Sequence, residues 1–217
     1  MTTTSTPPAA ELPAAAATAP RAAERPSHAI VARRFLLVGA LVLLDLWSKA
    51  AVFQWMQGLE AERALPLAPG LSRPCYPLAG EWLSFMLQLN PGAAFGQFDD
   101  IPYLLVGGRV AAGLFLGWLV FRSRTGRPIF NTALLLVLAG ALGNLYDNLL
   151  RTRNLTLDAE FLHRPFMPVR DFIDVYFRVW NWHFPTFNVA DSCITVGAIL
   201  LLGCGLFSRD EPETQSA

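Results

Sequence analysis

Long apolar blocks alternate with short polar ones along this chain, and four of the blocks are long enough to predict membrane-spanning helices. They cover about residues 35–56, 103–121, 129–150 and 188–207. A hydrocarbon core about 30 Å thick needs about 20 helical residues, so each block can span. Residues 1–32 are rich in Ala, Pro, Thr and Glu and lack apolar periodicity, which predicts a disordered tail. That tail is too long and too polar for a signal-peptide n-region. Residues 208–217 form a second polar tail, leaving 33–207 as one helical domain.

The segments between the spans are unequal. Residues 57–102 and 151–187 are long for mere connections, whereas 122–128 is short. Arg33 and Arg34 precede the first span, and Arg122, Arg124 and Arg127 fill the short connection. Positive charge marks the inner side, so both termini are expected in the cytoplasm and both long loops outside. Arg151, Arg153, Arg164, Arg170 and Arg178 run against the rule, but the short inner connection can hold nothing else. Trp82, Trp180 and Trp182 suit a membrane–water interface, and Glu81 to Leu89 alternates enough for a short surface strand. The predicted fold is therefore an all-α membrane protein of four transmembrane helices. A small β-containing subdomain is expected at the outer surface. Arg109 interrupts the second span and is expected to snorkel to the nearer interface.

Composition agrees. The 217 residues are 53% hydrophobic and 16% charged, against about a quarter charged in soluble domains. Net charge is +0 and no basic stripe carries interleaved aromatics, which excludes a nucleic-acid partner. Cys193 and Cys204 would lie roughly 16 Å apart along one helix, too far to bridge. Cys75 lies elsewhere, and His28, His163 and His183 are scattered, so no metal site is expected.

Ionisable groups inside a span cost on the order of 2.5–3.5 kcal/mol at helix centre, so each needs a reason. Asp45 and Lys49 sit one turn apart and read either as a self-neutralising pair or as part of a site. Asn144 and Asp147 share a face near the outer end of the third span, beside Gly140 and Gly143, which permit close helix approach. They fit an interhelical hydrogen-bond cluster or a pocket wall equally well. Asn188 and Asp191 open the fourth span, where Asn188 is a good N-cap and Asp191 suits the positive helix end. By themselves they read more readily as a cap than as a reacting pair.

Asp171 changes that balance. It lies in an apolar stretch, Pro168 to Phe177, that returns toward the membrane just before the fourth span. An acid there can meet Asp191 at the outer interface, and two neighbouring carboxylates divide into an acid and a base. Such a pair activates water against an amide without metal or cofactor. The helix dipole makes Asp191 the better candidate base. Asp174 competes with Asp171 but reads better as a solvated loop acid.

Five blocks in order resemble the lipoprotein (type II) signal peptidases. They are Asp45-Leu-Trp-Ser-Lys49, Asn90-Pro-Gly-Ala-Ala-Phe95, Gly140-Ala-Leu-Gly-Asn144-Leu-Tyr-Asp147, Val169-Arg-Asp171-Phe-Ile and Phe187-Asn188-Val-Ala-Asp191-Ser. The resemblance implies an intramembrane aspartyl protease of the bacterial inner membrane, its site facing the periplasm. It would cleave diacylglyceryl-modified prolipoproteins just before the lipidated cysteine. It further implies Asp171 and Asp191 as the dyad, and Asn90, Gly92, Asn144, Asn188 and Asp147 at the substrate. Asp45 and Lys49 would support them. The expected partners are prolipoprotein and membrane lipid, with the chain acting as a monomer. Two departures stand out. Asn148 occupies the place of the family's arginine, and Arg151 is the candidate replacement. The segment from Asp147 to Asp171 is also longer than usual and reads as a lid or an added periplasmic contact.

A proton-coupled transporter would use similar acids, but the four short spans lack an internal repeat. A purely structural scaffold accounts for Asn144 and Asp147 but not for the outward acids before the fourth span.

Overall fold

The computed structural model describes residues 25–92, 97–98, 100–153 and 158–207. Within these, four helices carry a four-stranded sheet. Helix α1 spans His28–Ala61, α2 Pro102–Arg122, α3 Pro128–Leu149 and α4 Val189–Phe207. Proline stands at the start of both α2 and α3, where its missing N–H and fixed φ cost nothing. The α1 helix overruns its predicted span at both ends. Ser27 accepts a hydrogen bond from the Ile30 N–H and so starts the helix at His28, inside the segment expected to be disordered. Residues 1–24 and 208–217 lie outside the described residues.

The α2 and α3 helices are each long and apolar enough to cross a membrane. The α1 helix is longer but carries Asp45 and Lys49, and the apolar part of α4, Val189–Gly205, is shorter. The bundle is apolar outside and polar within. Leu36, Leu43, Trp47, Leu104, Leu114 and Leu202 are exposed, while Asp45, Lys49, Asp147 and Asn188 are at most 1% exposed. Water would favour the reverse arrangement, and a hydrocarbon solvent favours this one.

The α3 helix is central and packs against the other three. Val38 of α1, Val120 of α2 and Leu134, Leu138 and Ala139 of α3 form an apolar core. Toward α4 the contact is closer, because a Cβ at Gly140 would collide with the Ala190 carbonyl oxygen and the Ile194 side chain. At the far end from the sheet, Arg34 donates to the carbonyls of Val120 (3.0 Å) and Ser123 (2.7 Å). A cation on α1 thus closes the negative end of α2.

The strands are β1 (Tyr76–Ala79), β2 (Leu83–Asn90), β3 (Val169–Phe177) and β4 (Trp182–Phe187), antiparallel in that order. The predicted surface strand is β2. The stretch around Asp171, expected only as an apolar return, is β3, and β1 and β4 lie in segments expected as loops. Register brings Gln88 opposite Asp171 and Asn90 opposite Val169. Asn90 and Asp171 are therefore diagonal neighbours on one face. The β4 strand runs directly into Asn188 and α4, so the sheet aims two site segments at the top of α3. Trp82, Trp180 and Trp182 are exposed on it.

Candidate active site

A polar seam runs between α1, α3 and α4. The Lys49 Nζ donates to Asp45 Oδ2 at 2.7 Å and to Asn144 Oδ1 at 2.9 Å, and stands 3.6 Å from Asp147 Oδ2. Asp45 turns its other oxygen to the Ala190 N–H at 2.8 Å, so an acid of α1 holds the first turn of α4. Asp147 receives Arg170 twice over. Its Oδ1 accepts from Nη2 at 2.7 Å and its Oδ2 from the backbone N–H at 3.0 Å. These buried charges neutralise one another, as a low-dielectric interior demands.

Two acids are held differently. Asp171 on β3 is 1% exposed, and its oxygens accept from the amides of Asn188 (2.6 Å) and Asn90 (3.1 Å). Asp191 accepts from the Asn144 amide at 2.8 Å and from the Asn188 backbone N–H at 3.2 Å, while Asn188 Oδ1 accepts from the Asp191 N–H at 2.9 Å. Asn188 and Asp191 thus cap α4 reciprocally. The cap reading is correct, and the same carboxylate also faces a cavity with Asp171. Among the described residues, Asp45, Asp147, Asp158 and Asp174 each have a cationic or histidine partner within ion-pair distance, and Asp171 and Asp191 have none. Burial and then the charge of Asp191 push Asp171 up to about 7, against the opposing pull of Asn90, Asn188 and Lys49. A carboxyl near 7 exchanges protons at neutral pH.

The cavity measures about 1090 Å³. Asn90, Asn144, Asp171 and Asp191 line it beside apolar walls that include Leu89, Ala112, Ala141 and Ile194. Amide donors and acceptors, a pair of acids and an apolar lining give the cavity the character of a ligand-binding site.

Known proteins decide the family. A family model for signal peptidase (SPase) II matches residues 37–207. The chain belongs to the signal peptidase II family. A lipoprotein signal peptidase of Yersinia pseudotuberculosis is 31% identical over 180 residues, 81% of this chain and 87% of that protein. One from a Sulfurihydrogenibium species is 30% identical over 173 residues, 77% of this chain and 86% of that protein. The fold is shared with a bacterial membrane enzyme determined by the in meso method at 2.3 Å resolution. The TM-score is 0.57 at 20% identity, covering 86% of this chain and 94% of that one. A second such structure, at 1.9 Å, gives 0.54 at 21% identity. As a signal peptidase II relative with apolar helices, this chain is an integral membrane protease.

Set against that family, the site holds most of the residues read from the sequence and displaces some. Asn90, Asn144, Asn188, Asp171 and Asp191 converge, and Asp45, Lys49 and Asp147 stand directly behind them. Gly92 contributes through its backbone, its N–H donating to Asn90 Oδ1 at 3.0 Å. Residues 93–95 of that block lie outside the described residues. Asp174 is no solvated loop acid. It is 1% exposed, accepts from Ser84 Oγ at 3.1 Å and meets His183 Nδ1 at 2.9 Å.

Arg151, the candidate replacement for the family arginine, does not line the cavity. It forks onto Asp158 at 2.7 and 3.1 Å and reaches the Pro168 carbonyl at 3.4 Å. Residues 158–168 of the long 151–170 segment do not line the cavity, and Phe166 packs against Tyr103 at the start of α2. Val169 and Arg170, at its end, belong to β3 and the site. The residue that sequence reasoning misplaced is Arg109. It does not snorkel outward but turns into the cavity, donating to Asn148 Oδ1 and, at 3.0 Å, to the Gly92 carbonyl. The signal was a lone arginine within reach of the outer loop, but its sequence neighbours alone did not say which way it turned.

Proposed function

We propose that this chain removes signal peptides from diacylglyceryl-modified prolipoproteins, cleaving before the lipidated cysteine by means of the Asp171–Asp191 pair. The observation that carries the reading is that these two acids face one cavity and are held by neutral amides. The other buried acids are matched to cations or histidine. Membership of the signal peptidase II family supports the substrate class.

Asp171 carries the shared proton near neutral pH, since its carboxyl lies about 7. Asp191, at the positive end of α4, takes a proton from water as that water attacks the scissile carbonyl carbon. Asp171 gives its proton to the carbonyl oxygen. When the tetrahedral species collapses, the C–N bond breaks, the cysteine amine leaves with the proton held by Asp191, and one hydroxyl of the gem-diol returns its proton to Asp171 as the carboxyl product forms. Asn90, Asn144 and Asn188 orient the acids and bind the extended substrate backbone in a site where water competes poorly. The helices lie in the inner membrane as four spans with both termini cytoplasmic and the cavity outward, the arrangement the arginine distribution favours.

Purified chain in detergent, given lipidated prolipoprotein and a chelator, should release the signal peptide. Asp171→Asn and Asp191→Asn should each abolish release while the protein still accumulates. Full activity in Asp171→Asn, with loss in Asp174→Asn, would move the dyad. Loss of wild-type activity with chelator would remove the aspartyl mechanism. Topology is tested separately, by labelling single cysteines in residues 57–75 and 122–128 of intact cells with an impermeant maleimide. Only the first set should react.

A further inference from the structure

Arg109 is the one arginine or lysine among the described residues lining the cavity. It stands in an otherwise apolar helix, where a charge is costly unless it is partnered. Its two partners are themselves fixed in orientation. Asn148 donates from Nδ2 to the Met167 carbonyl at 2.7 Å, which leaves its Oδ1 to accept from Arg109. Gly92 is gripped at both ends of its peptide groups. Its carbonyl accepts from Arg109, and its N–H donates to Asn90 Oδ1. With Oδ1 so occupied, the Asn90 side chain must present its NH₂ to Asp171.

We propose that Arg109 is the positioning residue of the dyad, clamping the Asn90–Gly92 turn so that the Asn90 amide stays on Asp171 while its own charge offsets that of the two acids. The path runs from α3 through Asn148 and Arg109 to Gly92, Asn90 and Asp171, and every link is a directed hydrogen bond. The guanidinium supplies two separate donors for two separate acceptors, which an ammonium supplies with far less directional control. Its charge is felt at both Asp171 and Asp191. The inference rests on Asp171 and Asp191 being the reacting pair.

The test is the pH profile of prolipoprotein cleavage by the full chain in detergent, together with infrared titration of its ¹³C-labelled aspartate carboxyls. Arg109→Gln should lower kcat/KM roughly ten- to a hundredfold, the scale of a small misplacement near the chemistry. Removing a cation makes a carboxylate harder to form. The alkaline limb, set by loss of the Asp171 proton, and the Asp171 titration should therefore both move up by about one pH unit, the low end of what a neighbouring opposite charge does. Arg109→Lys keeps the charge and should leave the limb in place, with an intermediate loss of rate. Asn148→Leu should cost severalfold alone and nothing further in the Arg109→Gln background.

A lowered rate with an unmoved limb and unmoved carboxyl titration would reduce Arg109 to a packing residue and overturn the proposal, as would additive effects of the two variants. If Arg109→Gln does not accumulate, Arg109→Lys replaces it in the additivity test with Asn148→Leu, and additive losses again overturn the proposal. If the wild-type chain cleaves nothing, the function assigned above falls, and the infrared titration still decides whether Arg109 governs Asp171.

Discussion

Two sets of acids share one connected polar seam in this protein and are held in opposite ways. Asp45 and Asp147 are matched to Lys49 and Arg170, whereas Asp171 and Asp191 are matched to asparagine amides and a backbone N–H. Burial alone does not separate the sets, since Asp147 and Asp171 are equally hidden. The partner does. A cation balances the buried charge and ties neighbouring elements together. A neutral amide orients the carboxyl and leaves its proton free to come and go. In the proposed mechanism, the reacting acids are the two with no cation or histidine within ion-pair distance among the described residues.

The sharpest way to break that contrast is to exchange the sets in function. Asp171→Asn and Asp191→Asn should each lower kcat about 10⁴-fold, the upper end of general acid–base contributions, in protein that still folds and inserts. Asp174→Asn, on the same strand but bonded to His183, should keep cleavage within about tenfold, because its carboxyl takes no part in the chemistry. Lys49→Met should act on folding instead. Leaving Asp45 short of its cation should destabilise by about 3 kcal/mol, read as lost thermal stability and lower yield of membrane-inserted protein.

A third experiment uses pH. The Asp171 carboxyl titrates at about 7 folded, against its ordinary 3.8. Below the ordinary value it is protonated in both states and costs nothing. Between the two values the folded state resists ionisation, and its stability falls as pH rises until about 7. Asp171→Asn removes that loss, so at pH 8 the inactive variant should melt at least about 3 °C above wild type. Equal melting at pH 8 would mean that the acid is not held against its preference. Smallest of all, Arg178→Ala should change neither cleavage nor melting measurably. Its pairing with Glu81 at 3.5 Å lies in the open on the sheet.

The helices were legible where apolar length decides them. The α2, α3 and α4 boundaries fall within a residue of the predicted spans, because proline and asparagine mark their starts. The α1 helix ran longer, since its charged and small flanking residues continue a helix that hydropathy alone truncates. The sheet was mostly hidden. The β3 strand is buried on both faces from Val169 to Phe172, so it lacks the alternation that reveals a half-exposed strand. Asp174 was misread because its partner His183 lies across the β3–β4 hairpin, nine residues away, and Arg151 because Asp158 lies within the long insertion. Arg109 is the instructive case. Local hydropathy describes the cost of a charge in a helix, whereas its direction depends on Gly92 and Asn148, which only the fold brings near.

The bond from Asp45 to the Ala190 N–H has a consequence for the making of this protein. Helix α1 emerges before α4 and carries the acid that seats the start of α4, and Asp191 rides on α4. Until α4 docks, Asp171 has no partner acid and Asn188 cannot reach it. On the proposed mechanism, a chain synthesised only as far as β3 therefore lacks half of its reacting pair, and competence waits on the docking of α4.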